Sequence, residues 1–232
     1  MNNRPYEIAF AGNPNTGKST LFNLLTGLRQ HTGNWAGKTV DLLEGNFSYR
    51  QKEYKIIDLP GTYSLLSESP DEEVAKEYLL FKKPDITIVV LDATSLQRNL
   101  NLALQVLEIM ENVIICINLI DEAKKKKIHI DEQRIMRKLG VPVIKISART
   151  KIGIPQLLDT LDQMVSGKIK PEPLKIQYSP VLEEKISELI PQIQSLIGDQ
   201  YPLRWVALRL IEGDRTFFQA LEKRKDVCLC NS

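Results

Sequence analysis

The stretch AFAGNPNTGKST, residues 9–20, ends an apolar run with two glycines, a proline and two asparagines, then sets a lysine before two hydroxyls. Such a composition suits a surface turn with a solvated lysine, and it equally suits a cradle for phosphate. Context separates the two. GNPNTGKS, residues 12–19, satisfies the pattern G-x-x-x-x-G-K-[ST] at every position. It also joins a predicted strand, YEIAFAG (residues 6–12), to a predicted helix over residues 18–28 that carries Leu21, Phe22, Leu24, Leu25 and Leu28 on one face. Glycines let the backbone curl until several N–H groups converge on an anion. The following helix adds its N-terminal dipole. Lys18 brings a full charge to the β- and γ-phosphates, and Ser19 offers a hydroxyl to Mg²⁺. The nucleotide-contacting set is then Gly12, Asn13, Pro14, Asn15, Thr16, Gly17, Lys18, Ser19 and Thr20. The pattern leaves the base open.

Outward from this stretch, apolar runs alternate with helical periodicity. Residues 42–49 and 54–59 read as a strand pair around the polar residues 50–52. Residues 71–81 read as a helix, 85–92 as a buried strand, 96–110 as a helix and 113–118 as another buried strand. Residues 131–139 are helical, 141–146 form a strand, and Ile154, Leu157, Leu158, Leu161 and Val165 mark a further helix. This alternation predicts an α/β fold: a mainly parallel sheet with helices on both faces. KIKPEPLKIQ, residues 168–177, reads as a linker. Beyond it Leu182, Ile186, Leu189, Ile193 and Leu196 step at helical spacing along one apolar face, with a bend or break expected at Pro191. Pro202 opens a second helix, Gly213 closes it, and Asp214 caps a third that holds Phe217, Phe218 and Leu221. The expected division is residues 1–170 and a small all-helical domain over 171–232.

The base follows from two later stretches. NLID places Asn118 at a strand end and Asp121 three residues on. A carboxylate there accepts from both N1–H and N2–H₂ of guanine, donors that adenine lacks. ISAR, residues 146–149, follows the last strand. It supplies Ser147, Ala148 and Arg149, with the Ala148 N–H in reach of guanine O6. As an alternative, Asp121 serves only as a helix cap before Glu122. DLPG, residues 58–61, also follows a strand. Asp58 sits where a second carboxylate holds Mg²⁺ through water, and the Gly61 N–H faces the γ-phosphate. Thr39, in the loop before the second strand, completes the metal shell. This set resembles the P-loop GTPase (Ras-like) fold. One departure is Leu119, where the guanine motif of that fold usually carries lysine. It removes a stem packing over the base and keeps the discriminating carboxylate.

QHTGNWAGKTVD, residues 30–41, is unusual for a switch loop. Together with GNPNTGKSTLFNLLTG, DLPGTYSL, NLID and SAR it resembles the FeoB ferrous-iron transport family. RWVALRLIEGD, residues 204–214, is similar to the end of that family's helical spacer, a GDI-like domain. Lys38 stands where valine is expected before Thr39. The resemblance implies a GTP- and GDP-binding, GTP-hydrolysing domain whose state is relayed to an iron-conducting membrane region absent from this sequence. It implies a location at the cytoplasmic face of a bacterial inner membrane and leaves homo-oligomerisation open. It further implies K⁺ held by the Asn15 side chain and by backbone carbonyls of residues 33–37, Gly33 and Trp35 among them. The implied catalytic set is Lys18, Thr39, Gly61 and Asn15. As an alternative, Asn15 is only a turn residue.

Composition narrows the rest. Apolar runs such as IVVL and VIICI are far too short to span a bilayer, and MNNRPYE has no apolar core of a signal peptide. Three cysteines fit a reducing compartment. Cys228 and Cys230 form a lone C-x-C, and His31 and His129 are isolated, so no transition-metal site is expected. An RNA-linked GTPase is the first rival. It requires a basic appendage, whereas residues from 171 onward hold eight Lys/Arg against nine Asp/Glu. The second rival is a nucleotide switch without useful catalysis, because Thr62 follows DLPG where Ras-like proteins place a water-orienting glutamine.

Overall fold

The computed structural model describes residues 4–27, 30–34, 41–66 and 69–229, and the side chains of these except for 30–34, 41 and 223–229. Trp35, Lys38, Thr39 and Cys230 lie outside the described residues. The chain divides into two compact units, Met1–Leu174 and Lys175–Ser232.

The first unit is built on β1 (Tyr6–Gly12), β2 (Gln30–Asn34), β3 (Asp41–Tyr49), β4 (Lys52–Asp58), β5 (Ile86–Asp92), β6 (Val113–Asn118) and β7 (Val143–Lys145). They form one sheet in the order β2-β3-β4-β1-β5-β6-β7. β4, β1, β5, β6 and β7 run parallel, while β2 and β3 are antiparallel to their neighbours. β5 and β6 are buried along nearly their whole length, as strands covered on both faces must be. The interleaved helices are α1 (Lys18–Thr26), α2 (Pro70–Glu77), α3 (Leu96–Ile109), α4 (Ile120–Lys125), α5 (Glu132–Leu139) and α6 (Ile154–Val165), and a π turn, Tyr78–Lys82, prolongs α2. Phe10, Leu21, Phe22, Ile56, Ile88, Cys116, Leu157 and Leu161 lie in one continuous core against which Leu24 and Leu25 pack, so these residues of the α1 face are seated on the sheet, while Leu28 lies outside the described residues. The turn between β3 and β4 uses Arg50 and Gln51, both at positive φ (47° and 63°). That is the backbone a two-residue hairpin requires.

Parallel strands deliver their C-terminal ends to one edge of the sheet, and βα loops of adjacent strands therefore lie side by side. Here the order β4-β1-β5-β6-β7 gathers the residues after Asp58, Gly12, Asn118 and Lys145. This is how motifs more than a hundred residues apart in the chain come to share one site.

Two expectations need correction, and one alternative falls away. The unusual loop does not start at residue 30: its first five residues are the edge strand β2, with Gly33 opposite Leu42. QHTGN has no alternation of apolar residues, and the strand takes its register from β3. Asp121 is not the residue that caps a helix: α4 starts after Leu119, and Asp121 lies inside its first turn. The helix of the second unit is not broken at Pro191. α7 (Pro180–Ile197) runs through it, because Pro191 is on the exposed side, where the carbonyl it leaves without a donor meets water. The apolar face also shifts by one residue at its end: Ile197 is buried and Leu196 is 72% exposed.

In the second unit α8 (Leu203–Ile211) packs on α7 and is buried from Trp205 to Arg209. α9 (Thr216–Leu229) begins after Asp214, whose carboxylate accepts from the Thr216 N–H at 2.8 Å. Phe217 meets Trp205 and Tyr201 edge to face.

Candidate functional site

The loop after β1 turns on Asn15 (φ 64°) and Gly17 (φ 78°), the alternation of left- and right-handed residues that aims successive N–H groups inward. Two glycines are obligatory. A Cβ on Gly12 would stand 2.6 Å from the Val90 carbonyl oxygen, and one on Gly17 would stand 2.4 Å from Asn118 Nδ2. The Thr16 hydroxyl donates to the Asn13 carbonyl at 3.0 Å and ties the loop across its base. Pro14 is half-buried, while the Asn15, Ser19 and Thr20 side chains are exposed at the mouth. Asn13 is buried, and its amide has no partner among the described residues.

Lys18 is the first residue of α1 and is itself buried. Its ammonium pairs with Asp58 at the end of β4 and donates to the Leu59 carbonyl at 2.6 Å. Burial pushes the Asp58 pKa above the usual carboxylate value, and the Lys18 charge and Ser19 hydroxyl offset only part of that rise. The segment after Asp58 is bound to the cradle: the Thr62 N–H donates to the Gly12 carbonyl at 3.2 Å, and a Cβ on Gly61 would stand 3.3 Å from the Pro14 backbone. Gly61 therefore lies against the phosphate loop. Thr62 is 4% exposed, with its side chain withdrawn from solvent.

Asn118 joins the two halves of the site. Its Nδ2 donates to the Thr16 carbonyl at 2.9 Å, and its Oδ1 accepts from the Ala148 N–H at 3.0 Å. One buried amide thus fixes the phosphate loop to the loop after β7. Ser147 is fully buried beside Asp121. Burial raises the Asp121 pKa, but the Ser147 hydroxyl and the Arg149 guanidinium outweigh it and hold the carboxyl below its usual range. Arg149 bonds Asp121 Oδ2 and reaches Glu122 Oε1 at 2.8 Å. Asp121 Oδ1 is buried and has no hydrogen-bond partner among the described residues.

The structure brings together Gly12 to Thr20, Asp58, Gly61, Asn118, Asp121 and Ser147 to Arg149. Thr39 and Trp35 lie outside the described residues, and Gly33 is in the β2–β3 ladder. Three participants escaped sequence reading. The Leu59 carbonyl holds Lys18. Glu122 shares Arg149 with Asp121. Gln105 of α3 accepts from the Leu65 N–H at 2.7 Å and from the Ser64 hydroxyl at 3.2 Å, holding the segment that follows DLPG. A backbone carbonyl leaves no mark in a sequence, and neither Gln105 nor Glu122 belongs to a motif.

These motifs at one sheet edge are matched by known proteins. The profile described as "Ferrous iron transport protein B" matches residues 6–161, and that of the "FeoB cytosolic helical domain" matches residues 178–228. The chain belongs to the FeoB family. It is 38% identical over 218 residues to the Fe(2+) transport protein A/Fe(2+) transporter FeoB fusion protein of Porphyromonas gingivalis, covering 92% of this chain and 26% of that one. It is 39% identical over 222 residues to the Fe(2+) transporter FeoB of Methanocaldococcus jannaschii, covering 96% of this chain and 33% of that one. The chain therefore spans about a quarter to a third of these FeoB proteins. The cytosolic domain of the T. maritima FeoB iron transporter in a GDP form superposes with a TM-score of 0.83 at 36% identity, covering 95% of this chain and 85% of that one. Among the described residues no helix is long and apolar enough to cross a membrane, and no cluster of three or more His, Cys, Asp or Glu forms a metal site.

Proposed function

We propose that this chain binds GTP and GDP and hydrolyses GTP as the cytosolic part of a ferrous iron transporter. The observation that carries the reading is the Asn118 bridge. It ties the phosphate loop and the loop after β7 to the strand end that precedes Asp121, and the Ala148 N–H, here donated to Asn118 Oδ1, has to be shared with or turned from Asn118 to reach guanine O6. Lys18 leaves Asp58 for the β- and γ-phosphates, and the inward N–H groups of the loop share their charge. Asp121, with one oxygen unfilled, accepts from the N1–H and N2–H₂ of guanine. The Gly61 N–H turns toward the γ-phosphate.

The residues also fit Mg²⁺. The Ser19 hydroxyl is near enough to the Asp58 carboxylate to help lower its pKa, and the two form a hard oxygen pair of the kind Mg²⁺ takes alongside phosphate oxygens. Thr39 would complete that shell. When bound, the ion neutralises charge on the β- and γ-phosphate oxygens. A second reading, a switch with negligible catalysis, draws on Thr62. Its buried side chain cannot orient a water as a glutamine does. K⁺ answers that objection. Asn15 stands exposed at the cradle mouth in the left-handed region, free to offer its side-chain oxygen, with the Gly33 and Trp35 carbonyls as further ligands. A monovalent cation about 4 Å from developing charge contributes roughly 4 kcal/mol at an effective dielectric near 20, about a thousandfold in rate at most.

The test is single-turnover hydrolysis of GTP and of ATP, in potassium and in sodium chloride at equal ionic strength. Hydrolysis of GTP alone, faster in potassium, is expected, with Asn15→Ala erasing the salt difference. Equal rates in both salts would remove the potassium site. No GTP turnover in either salt would leave the switch reading. On the scale of the whole protein, the nucleotide state is relayed through the helical unit to a membrane-spanning region that conducts Fe(II), with this part on the cytoplasmic face. Homo-oligomers are compatible with that arrangement, and the near-neutral charge of the helical unit gives no reason to expect a nucleic-acid partner.

A further inference from the structure

Arg149 and Glu122 meet at Asp121, the residue proposed above to read the base. We propose that Arg149 is a latch: it occupies the guanine-reading carboxylate of Asp121 when the site is empty and swings onto Glu122 when guanine arrives. This rests on the guanine reading of Asp121 proposed above. Three observations carry it. The Arg149 side chain is 62% exposed and that of Asp121 only 16%, so the mobile partner is the arginine. The same Nη2 atom already contacts both carboxylates, Asp121 Oδ2 and Glu122 Oε1, so transfer needs no new partner and no large movement. Finally, Arg149 bonds only one oxygen of Asp121, Oδ2, and Oδ1 is buried without a hydrogen-bond partner among the described residues.

That half-filled carboxylate explains which ligand displaces the latch. A base presenting two adjacent N–H donors fills both oxygens, whereas Arg149 fills one. A base with a single donor on that edge gains nothing over the arginine already in place. Glu122 then keeps the guanidinium paired, so the charge displaced from Asp121 is not stranded. Guanine recognition becomes an exchange of ion pairs rather than an addition to an empty carboxylate. Its consequence is a weaker nucleotide grip and an Arg149 side chain ready to compete during release. Exposed ion pairs of this type change an equilibrium constant by about two- to fivefold, which sets the expected size.

The experiment measures association and dissociation of N-methylanthraniloyl-GDP and N-methylanthraniloyl-ADP by stopped-flow fluorescence on the whole chain. Wild type is compared with Arg149→Ala, Glu122→Gln and the double variant. Arg149→Ala should bind the GDP probe about two- to fivefold more tightly, with slower release. Glu122→Gln should weaken binding, because the arginine is left with Asp121 alone. In the double variant the Glu122→Gln effect should vanish, since the residue it acts through is gone. Arg149 is exposed, so its removal spares the core, and thermal melts of each variant verify this. Weaker GDP binding in Arg149→Ala would overturn the latch and make Arg149 a contact to the base. So would an equal Glu122→Gln effect in both backgrounds. A wild-type chain that does not distinguish the GDP from the ADP probe would overturn the guanine reading itself, and the latch with it.

Discussion

Leu119 shows how one residue meets two demands. It stands where guanine motifs usually hold a lysine, and its backbone is left-handed at φ 63°. That conformation costs a non-glycine residue about 1–2 kcal/mol. Its carbonyl accepts from the Glu122 and Ala123 N–H groups, both at 3.0 Å, so the turn starts α4 and sets Asp121 inward. Its side chain reaches Gly17, with Cδ2 3.8 Å from where a Cβ there would stand. In the function proposed above, base choice falls to Asp121. Asp121→Asn replaces an acceptor with an amide that also donates. Charged hydrogen bonds contribute roughly 1.5–3 kcal/mol each, so GTP affinity should fall more than tenfold while xanthosine triphosphate gains. Equilibrium titration with both nucleotides checks this, and unchanged GTP binding would remove Asp121 from the site.

At the scale of elements, α7 is pinned at its start. Arg204 of α8 makes a two-pronged contact with Glu183, 2.7 Å at each oxygen, and also donates to the Ile176 carbonyl at 2.7 Å. Glu183 in turn accepts from the Tyr178 N–H at 2.9 Å. The Arg204 contact first, then the Tyr178 bond, lowers the Glu183 pKa to about 2 from 4.5. A depressed carboxylate pKa means that the folded state holds fewer protons than the unfolded one. Its stabilisation is complete above the unfolded value and is lost as pH falls toward the folded one. Thermal denaturation followed by circular dichroism should show wild type losing more stability between about pH 5 and pH 3 than Glu183→Gln, which has no such proton to take up. Parallel pH dependence in the two proteins would place the acid sensitivity elsewhere. A comparable tether holds the segment after DLPG in the first unit. There Gln105 bonds the backbone, and the Arg98 guanidinium lies 4.3 Å from the Tyr63 ring centre.

For the whole molecule, the division into two units has a consequence. Every described residue placed at the candidate site lies before Leu174, where the first unit ends. The last stretch of that unit is held by its own backbone, with Glu172 N donating to the Gly140 carbonyl and Leu174 N to that of Leu139. Residues 1–174 alone should therefore bind GDP with affinity within about a factor of three of the full chain, under 1 kcal/mol. Isothermal titration of both proteins checks this. A loss of more than about tenfold would show that the helical unit completes the site.

How much of this was written in the chain differs by residue. The phosphate loop was legible because only Gly12 and Gly17 tolerate the close approaches to Val90 and Asn118, and Lys18 must follow them. NLID and SAR were legible as strand-end motifs, and the apolar runs of β5 and β6 as strands buried on both faces. Local chemistry dictates such features, so the sequence by itself determined the α/β class and the helical appendage, and it carries the guanine reading proposed above. The edge strand β2 was not legible, since its polar residues take their pairing from β3 and not from their own pattern. The continuity of α7 through Pro191 depended on which side faces water. The Lys18–Asp58 pair, the Asn118 bridge and the sharing of Arg149 between Asp121 and Glu122 were decided by tertiary structure alone. Each joins groups that only the parallel strand order brings within a hydrogen bond's length, and no local preference encodes a distance between strands.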